Sequence, residues 1–248
     1  MFPENLTSPS GKVSNIAQIA ALISEFRKIL ANRERSPGEF KAQFIRLAEE
    51  LKPLQTEAAK RFRRTAPEFN VFRILRLADK EVITHSPFLA NLFYPSGTHG
   101  QGPFFLQIFL DHLSRNNLSS VFADVDADQT WQVRTESVTE FGNLDIVLWS
   151  PHWSARIVIE NKVGAGDQPS QLARYWDWMK AQPCKAQQLF YLTPTGHRSD
   201  EAEKSGVSYV ALSYKKDIRN IIETSLAEVV APRLKETLTQ YLELINAF

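Results

Sequence analysis

Three side chains define the chemistry open to this 248-residue sequence: Asp145, Glu160 and Lys162. They sit in two short runs, Asn143-Leu-Asp-Ile-Val-Leu-Trp149 and Arg156-Ile-Val-Ile-Glu-Asn-Lys162, joined through Pro151-His-Trp-Ser154. The density of Ile and Val predicts strands over Leu144–Trp149 and Ala155–Val163. The link is short enough for a four-residue hairpin loop. If Ser150 faces Ala155, Asp145 falls directly opposite Glu160, with Cβ atoms about 4.5–5.5 Å apart. Lys162 lies two residues beyond Glu160 and so points to the same face. Ile146, Leu148, Ile157 and Ile159 point to the other face, which must be the core.

Two carboxylates this close repel, and one is pushed toward its neutral form unless a cation sits between them. Mg²⁺ or Mn²⁺ suits such a site, because Mg²⁺ takes one or two protein carboxylates and fills its shell with water and phosphate oxygens. Hydrolysis of a phosphodiester needs an activated water and neutralised phosphoryl charge, and a carboxylate-bound metal supplies both. Lys162 can orient that water or stabilise the developing charge. The carbonyl of Asn161 is a further candidate ligand. A solvent-facing hairpin with the same three residues is nevertheless common, and a Glu-x-Lys by itself carries little information.

The elements that must position these residues follow from pattern. Ser14 can cap a helix running to about Asn32, and a second helical stretch starts after Pro37, with Phe40, Phe44, Leu47, Leu51, Leu54 and Ala58 at alternating spacings of four and three. Pro53 is expected to kink or split it. Together they predict an N-terminal helical hairpin in a first domain, residues 1–66, ending in the basic cluster Lys60, Arg61, Arg63 and Arg64. That cluster is either a solvated helix end or a phosphate contact. The second domain, 67–248, opens with helices over Phe69–Leu77 and after a Ser86-Pro87 cap. Phe104–Leu113 is a helix and Thr130–Val138 a strand that precedes the hairpin. A helix over Asp167–Met179, short strands at Gln187–Leu192 and Val207–Leu212, and two closing helices complete an α/β fold, a mixed β-sheet flanked by helices.

Composition sets outer bounds. The charge balance of +1 rules out a broadly basic nucleic-acid coat, so any such surface is a local patch. One cysteine, Cys184, excludes an internal disulfide and paired-cysteine zinc sites. The first twelve residues lack the order of a signal peptide, and no run is long enough for a membrane span, so the expectation is a cytoplasmic protein that avoids membranes.

Asp145, a gap of 14 residues, then Glu160-Asn161-Lys162 resembles the PD-(D/E)XK nuclease signature, with Leu144 where that pattern often has Pro. Gln171-Leu-Ala-Arg-Tyr175 resembles the Gln-x-x-x-Tyr element of one branch of that superfamily. Glu81-Val-Ile-Thr-His85-Ser-Pro-Phe-Leu-Ala90, His99-Gly100, Tyr191-Leu-Thr-Pro-Thr-Gly196 and Leu212-Ser-Tyr214 resemble parts of an uncharacterised bacterial family within it. The similarity covers about residues 68–220. It implies a restriction-endonuclease-like core of helix, three-stranded meander, helix and strand. It implies metal on Asp145 and Glu160, with Asn161 and Glu81 as further ligands, and catalysis by Lys162. Gln171 and Tyr175 would orient the substrate or the lysine, and His85 stands beside Glu81. Glu136, on the strand before Asp145, rivals Glu81 as third acid.

The resulting expectation is a nuclease dependent on Mg²⁺ or Mn²⁺ and acting on nucleic acid, DNA in the first instance. Its rivals are a catalytically silent module of the same fold that grips nucleic acid or a protein partner, and a scaffold that forms a homodimer through the N-terminal helices. Trp176 or Trp178 is a candidate base-stacking platform, one of the two being turned away from the core. His99 either contacts phosphate or closes its glycine-flanked loop.

Overall fold

The computed structural model describes residues 23–24, 26–27, 37–164, 166 and 170–248. Its contacts divide the chain into two units, Met1–Phe69 and Asn70–Phe248. In the first, helix α1 spans Pro37–Thr65. Of the kink or split expected at Pro53, the split does not occur. Proline removes one N–H from the ladder, and the turns on either side continue as helix. Leu47 is buried, Leu51 and Leu54 are half-buried, and Phe44 meets Phe26 with ring centroids 6.5 Å apart. Residues 23–24 and 26–27 are helical. The rest of the expected first helix, with its Ser14 cap, lies outside the described residues. Lys60 pairs with Glu57 at 2.8 Å, and Arg61, Arg63 and Arg64 are exposed at the C-terminal end of α1.

The second unit begins with a single helical turn, α2 (Val71–Ile74), shorter than the expected helix; the Asn70 side chain caps it by accepting from Arg73 N. A π-helical turn over Glu81–His85 then runs without a break into α3 (Ser86–Phe93). Ser86 is therefore not the N-cap that Ser-Pro suggested: His85 before it already has helical angles, and Pro87 sits in the first turn of α3, where its missing N–H costs nothing. Helix α4 covers Phe104–Arg115.

Strands β1 (Gln132–Thr139), β2 (Gly142–Ser150) and β3 (Ala155–Asn161) form an antiparallel meander. The β1–β2 turn requires Gly142, whose φ is +120°. The β2–β3 turn is Pro151–Ser154, closed by the Ser150–Ala155 pair. Helix α5 (Gln171–Ala181) crosses over to β4 (Ala186–Thr193), which runs parallel to β3. The expected Asp167 cap of α5 lies outside the described residues, and α5 follows Ser170 in the left-handed region, φ +57°. A short helix, α6 (Asp200–Lys204), leads to β5 (Val210–Ser213), parallel to β4. A π-helical turn (Tyr214–Ile218), α7 (Arg219–Glu228) and α8 (Pro232–Ile245) close the chain. The sheet is thus five-stranded and mixed, in the order β1-β2-β3-β4-β5.

Strand alternation splits the apolar residues into two layers. Ile146, Leu148, Ile157, Ile159, Phe190 and Leu212 pack with Phe93, Phe105, Phe109, Ile222 and Tyr241 from the helices of one face. Val147, Val158, Leu189 and Tyr191 pack with Leu172, Tyr175 and Met179 of α5 on the other. The second layer is the one that surrounds the acidic residues. Among the described residues no helix is long and apolar enough to cross a membrane.

Candidate active site

The β2–β3 ladder has the register read from the sequence: Ser150 opposes Ala155 and Ile146 opposes Ile159. One step further along, Asp145 and Glu160 stand across from each other. Here the regular ladder ends and a side chain takes over, as Asp145 Oδ2 accepts from the Asn161 backbone N–H at 2.8 Å. Glu160 is fully buried, and Lys162 Nζ lies 2.8 Å from its Oε1. Apart from that ion pair, neither oxygen of Glu160 has a well-formed hydrogen bond within the protein.

Burial, then the charge of Glu160, pushes the Asp145 carboxyl up to about 8, against partial relief from the Asn161 N–H and Lys162. Burial raises Glu160 too, with Lys162 pulling the other way. Burial on its own would depress Lys162, but Glu160, Asp145 and Glu81 hold its ammonium above the ordinary range. Two carboxyls and an ammonium therefore share a small, largely water-free volume, with one negative charge poorly compensated.

Glu136 belongs to the same row. The β1–β2 pairs Thr135–Ile146 and Ser137–Leu144 bracket it, which puts Glu136 across from Asp145 on the other side. Its φ is +48°, a conformation that costs a non-glycine residue free energy. Burial and the Asp145 charge raise its carboxyl, offset by Lys162, and its Oε1 is buried without a hydrogen-bond partner. Glu81, the other acid considered, reaches the chain just beyond Lys162. Its Oε1 accepts from Val163 N at 2.5 Å and Gly164 N at 2.8 Å. Among the described residues no three acidic, histidine or cysteine side chains form a ready metal cage. Glu81 therefore holds the backbone that follows the lysine, close enough for its charge to act on Lys162.

Gln171 and Tyr175 lie on one face of α5, with Gln171 Nε2 donating to Tyr175 Oη at 3.1 Å. The Tyr175 hydroxyl donates in turn to the Asn143 carbonyl, fastening α5 to the start of β2. Burial and the nearby Glu160 and Asp145 charges raise the Tyr175 phenol well above its ordinary range. Lys162, Tyr175 and Gln171 therefore bound the acidic pair on its α5 side.

His85 goes elsewhere. Fully buried, it shares a hydrogen between Nδ1 and Tyr241 Oη at 2.8 Å and between Nε2 and the Ala78 carbonyl at 2.9 Å. Both ring nitrogens are engaged within the helical layer, and Glu81 stays close enough for its charge to act on the ring. His99 likewise closes its own loop, through the Tyr94 carbonyl at 2.9 Å and Gln101 N at 3.0 Å. Cys184 is unpaired and half-buried.

One positioning feature was missed. Asn161 shares strand parity with Ile157 and Ile159, so its side chain enters the apolar layer. It donates to Ser86 Oγ at 3.0 Å and accepts from Tyr214 Oη at 2.8 Å. A polar residue at a core-facing strand position was the available signal, since a buried amide must find partners. The two polar contacts anchor the strand segment between Glu160 and Lys162 to α3 and to the turn after β5.

The donor set fits a hard divalent cation. Two carboxyls from adjacent strands converge and repel, and the buried Glu160 has Lys162 as its counter-charge but no other well-formed hydrogen bond. The acid pair and the lysine thus lie at one end of β2 and β3 in a five-stranded mixed sheet packed between helical layers. A model of the PD-(D/E)XK nuclease superfamily matches residues 69–243, and the chain belongs to that superfamily. No curated protein and no solved structure matches the chain.

Proposed function

We propose that the protein is a restriction-endonuclease-like, metal-dependent nuclease that hydrolyses phosphodiester bonds of nucleic acid, DNA in the first instance. The observation that carries this reading is that half-buried Asp145 stands across from fully buried Glu160, with Lys162 beside them. Asp145 and Glu160 would hold Mg²⁺ or Mn²⁺, with the Asn161 carbonyl within reach as a further ligand. Such an ion, when bound, makes water more acidic and neutralises phosphoryl charge.

The chain's own residues do the rest. Lys162 brings a fixed positive charge to the place where a phosphoryl oxygen gains negative charge. The Asn161 N–H holds Asp145 Oδ2 so that the carboxyl keeps its aim toward Glu160. Tyr175 and Gln171 fix the edge of the site nearest α5, and Glu81 fixes the backbone after Lys162 through Val163 and Gly164. The α5 layer keeps bulk water from the acid pair, which strengthens each of these electrostatic contacts.

A second reading has one observation in its favour. Glu160 is fully buried with Lys162 as its counter-ion, an arrangement that also stands without metal and suits a silent module that binds nucleic acid. The test separates the two. The full chain is incubated with single- and double-stranded DNA and RNA in Mg²⁺ or Mn²⁺, beside Glu160→Gln and Lys162→Ala. Cleavage by the parent that falls at least about 100-fold in both variants supports the enzyme. Retardation of nucleic acid without cleavage in every preparation sinks it in favour of the module.

A further inference from the structure

The face that carries Asp145 and Glu160 continues past them into a groove of about 450 Å³ between β1, β2, β3 and the end of α5. Strand register orders its floor. Val147 and Trp149 follow Asp145 at two-residue steps along β2, Arg156 opposes Trp149 on β3, and Arg134 opposes Val147 on β1. The Arg134 guanidinium lies over the Trp149 ring at 5.4 Å, and that of Arg156 lies over Trp178 at 4.9 Å. Trp149 and Trp178 are only half-buried, and Arg134 is exposed. Arg156 also donates to the Gln182 carbonyl, so part of its capacity is spent at the helix end, and Glu140 stands at the rim. Of the two tryptophans on α5 that were candidates for stacking, Trp178 is the one lining the groove.

We propose that this groove binds an unpaired segment of the nucleic-acid strand whose backbone runs to the Asp145–Glu160 site; the inference rests on the nuclease reading of that site. Two features select the occupant. Planar cation–indole pairs reward flat aromatic groups, and in a duplex the base faces are already stacked on one another, so only unpaired bases can use them. Arg134, pre-ordered on Trp149 and open to solvent, offers a guanidinium to a phosphate or a base without first losing its conformational freedom. A groove within the roughly 300–1,000 Å³ range of small-ligand pockets takes one or two nucleotides, not the breadth of a double helix. Although the Val147–Val158 row is buried under α5, the β1 wall of the groove runs from Arg134 to Glu140 past Glu136, the residue across from Asp145, so a strand lying along that wall passes the acid row. The substrate class that follows is single-stranded DNA or RNA, or the frayed end of a duplex.

The full chain carrying Glu160→Gln, which cannot turn over substrate on the nuclease reading, is titrated in EDTA with a labelled ten-nucleotide single strand and with the blunt duplex of the same sequence. Anisotropy and intrinsic tryptophan fluorescence are read together. The expected result is at least tenfold tighter binding of the single strand, quenching of tryptophan emission on binding, and a loss of about tenfold when Arg134→Ala or Trp178→Leu is added. Arg134 is exposed on a sheet edge, so Arg134→Ala keeps the test valid if the tryptophan variant does not fold. Equal affinity for strand and duplex, or affinity untouched by Arg134→Ala, overturns the groove. Failure of the groove with cleavage intact leaves the nuclease reading standing. Strand binding at the groove without any cleavage by the parent chain removes the nuclease reading and keeps the groove.

Discussion

Replacing Asp145 by Asn removes one of two carboxyls that repel across a nearly dry gap, and the structure allows the outcome to be worked out with its sign. The Asp145 carboxyl is pushed up to about 8, against an ordinary 3.8. Below pH 3.8 the group is neutral in folded and unfolded chains alike, and it costs nothing. As pH climbs from there, the unfolded chain releases the proton and the folded chain keeps it, so the parent loses stability until pH reaches about 8, where the loss levels off. At pH 7 the difference of about three pH units, at about 1.36 kcal/mol each, amounts to roughly 4 kcal/mol. Side-chain relaxation at this partly accessible carboxyl brings the expected gain from Asp145→Asn to about 2–4 kcal/mol. The amide oxygen of Asn can still accept from Asn161 N–H, so no hydrogen bond need be lost.

The assay is urea denaturation in EDTA, followed by tryptophan fluorescence, at pH 4, 6, 7 and 8.5. All five tryptophans lie between residues 131 and 178, so the signal reports the unit that holds the site. Parent and Asp145→Asn should be equally stable near pH 4 and diverge as pH rises, with the variant ahead. Added Mn²⁺ should then stabilise the parent by mass action and leave the variant nearly unchanged, closing the gap while cleavage remains confined to the parent. A variant no more stable than the parent at pH 8.5, or an advantage that does not depend on pH, would refute the claim that buried carboxyl repulsion dominates this site.

Two further outcomes follow from other contacts. Glu81→Gln weakens the charge-assisted bonds to Val163 and Gly164 N–H and should cost about 1–2 kcal/mol, with faster hydrogen exchange at those two amides than at others in the unit. Burial lowers the pKa of His85 below 6.5, so the folded chain refuses a proton that the unfolded chain accepts. Stability supplied by neutral His85 is present above pH 6.5 and is lost as pH falls below it; in His85→Gln the acid limb of a stability–pH curve should flatten.

Much of the site was legible because strand geometry is periodic. A four-residue turn between two Ile/Val-rich runs left a single register that buries Ile146, Leu148, Ile157 and Ile159 together, and that register forces Asp145 against Glu160. Three strands, a helix and two further strands in a mixed sheet followed from pattern, the meander from the family resemblance, and the parallel pairing of β3, β4 and β5 was not read. What resisted reading was tertiary. Ser86-Pro87 has the composition of a helix start, yet the π-helical turn ahead of it carries the helix back to Glu81. Local sequence does not reveal that His85 will be clasped by Tyr241, 156 residues away. Helix α6 was overlooked, although Ser199 followed by Asp200, Glu201 and Glu203 is an N-cap with an acidic first turn. Nor does local sequence reveal that Glu81 will accept from the backbone N–H groups that follow Lys162, 82 and 83 residues away.

The layout of the α5 face links the stability argument to the chemistry. Successive rows across β1, β2 and β3 read Gln132–Trp149–Arg156, then Arg134–Val147–Val158, then Glu136–Asp145–Glu160. One aliphatic pair therefore separates the aromatic and cationic end of the face from the acidic end. In the acid row the carboxyls of Glu136, Asp145 and Glu160 are all displaced upward, and Glu136 is also held at a positive φ. Such an arrangement is unfavourable for a passive sheet, where the same burial filled by apolar side chains would be more stable. Strain of this kind persists where the surrounding structure over-determines it. Here the apolar layer behind the sheet, the Asn161 side chain anchored to Ser86 and Tyr214, and the Glu81 clamp on Val163 and Gly164 supply that determination. A cation entering the row would relieve repulsion already stored in the fold, so its binding energy need not be spent on bringing the carboxyls together.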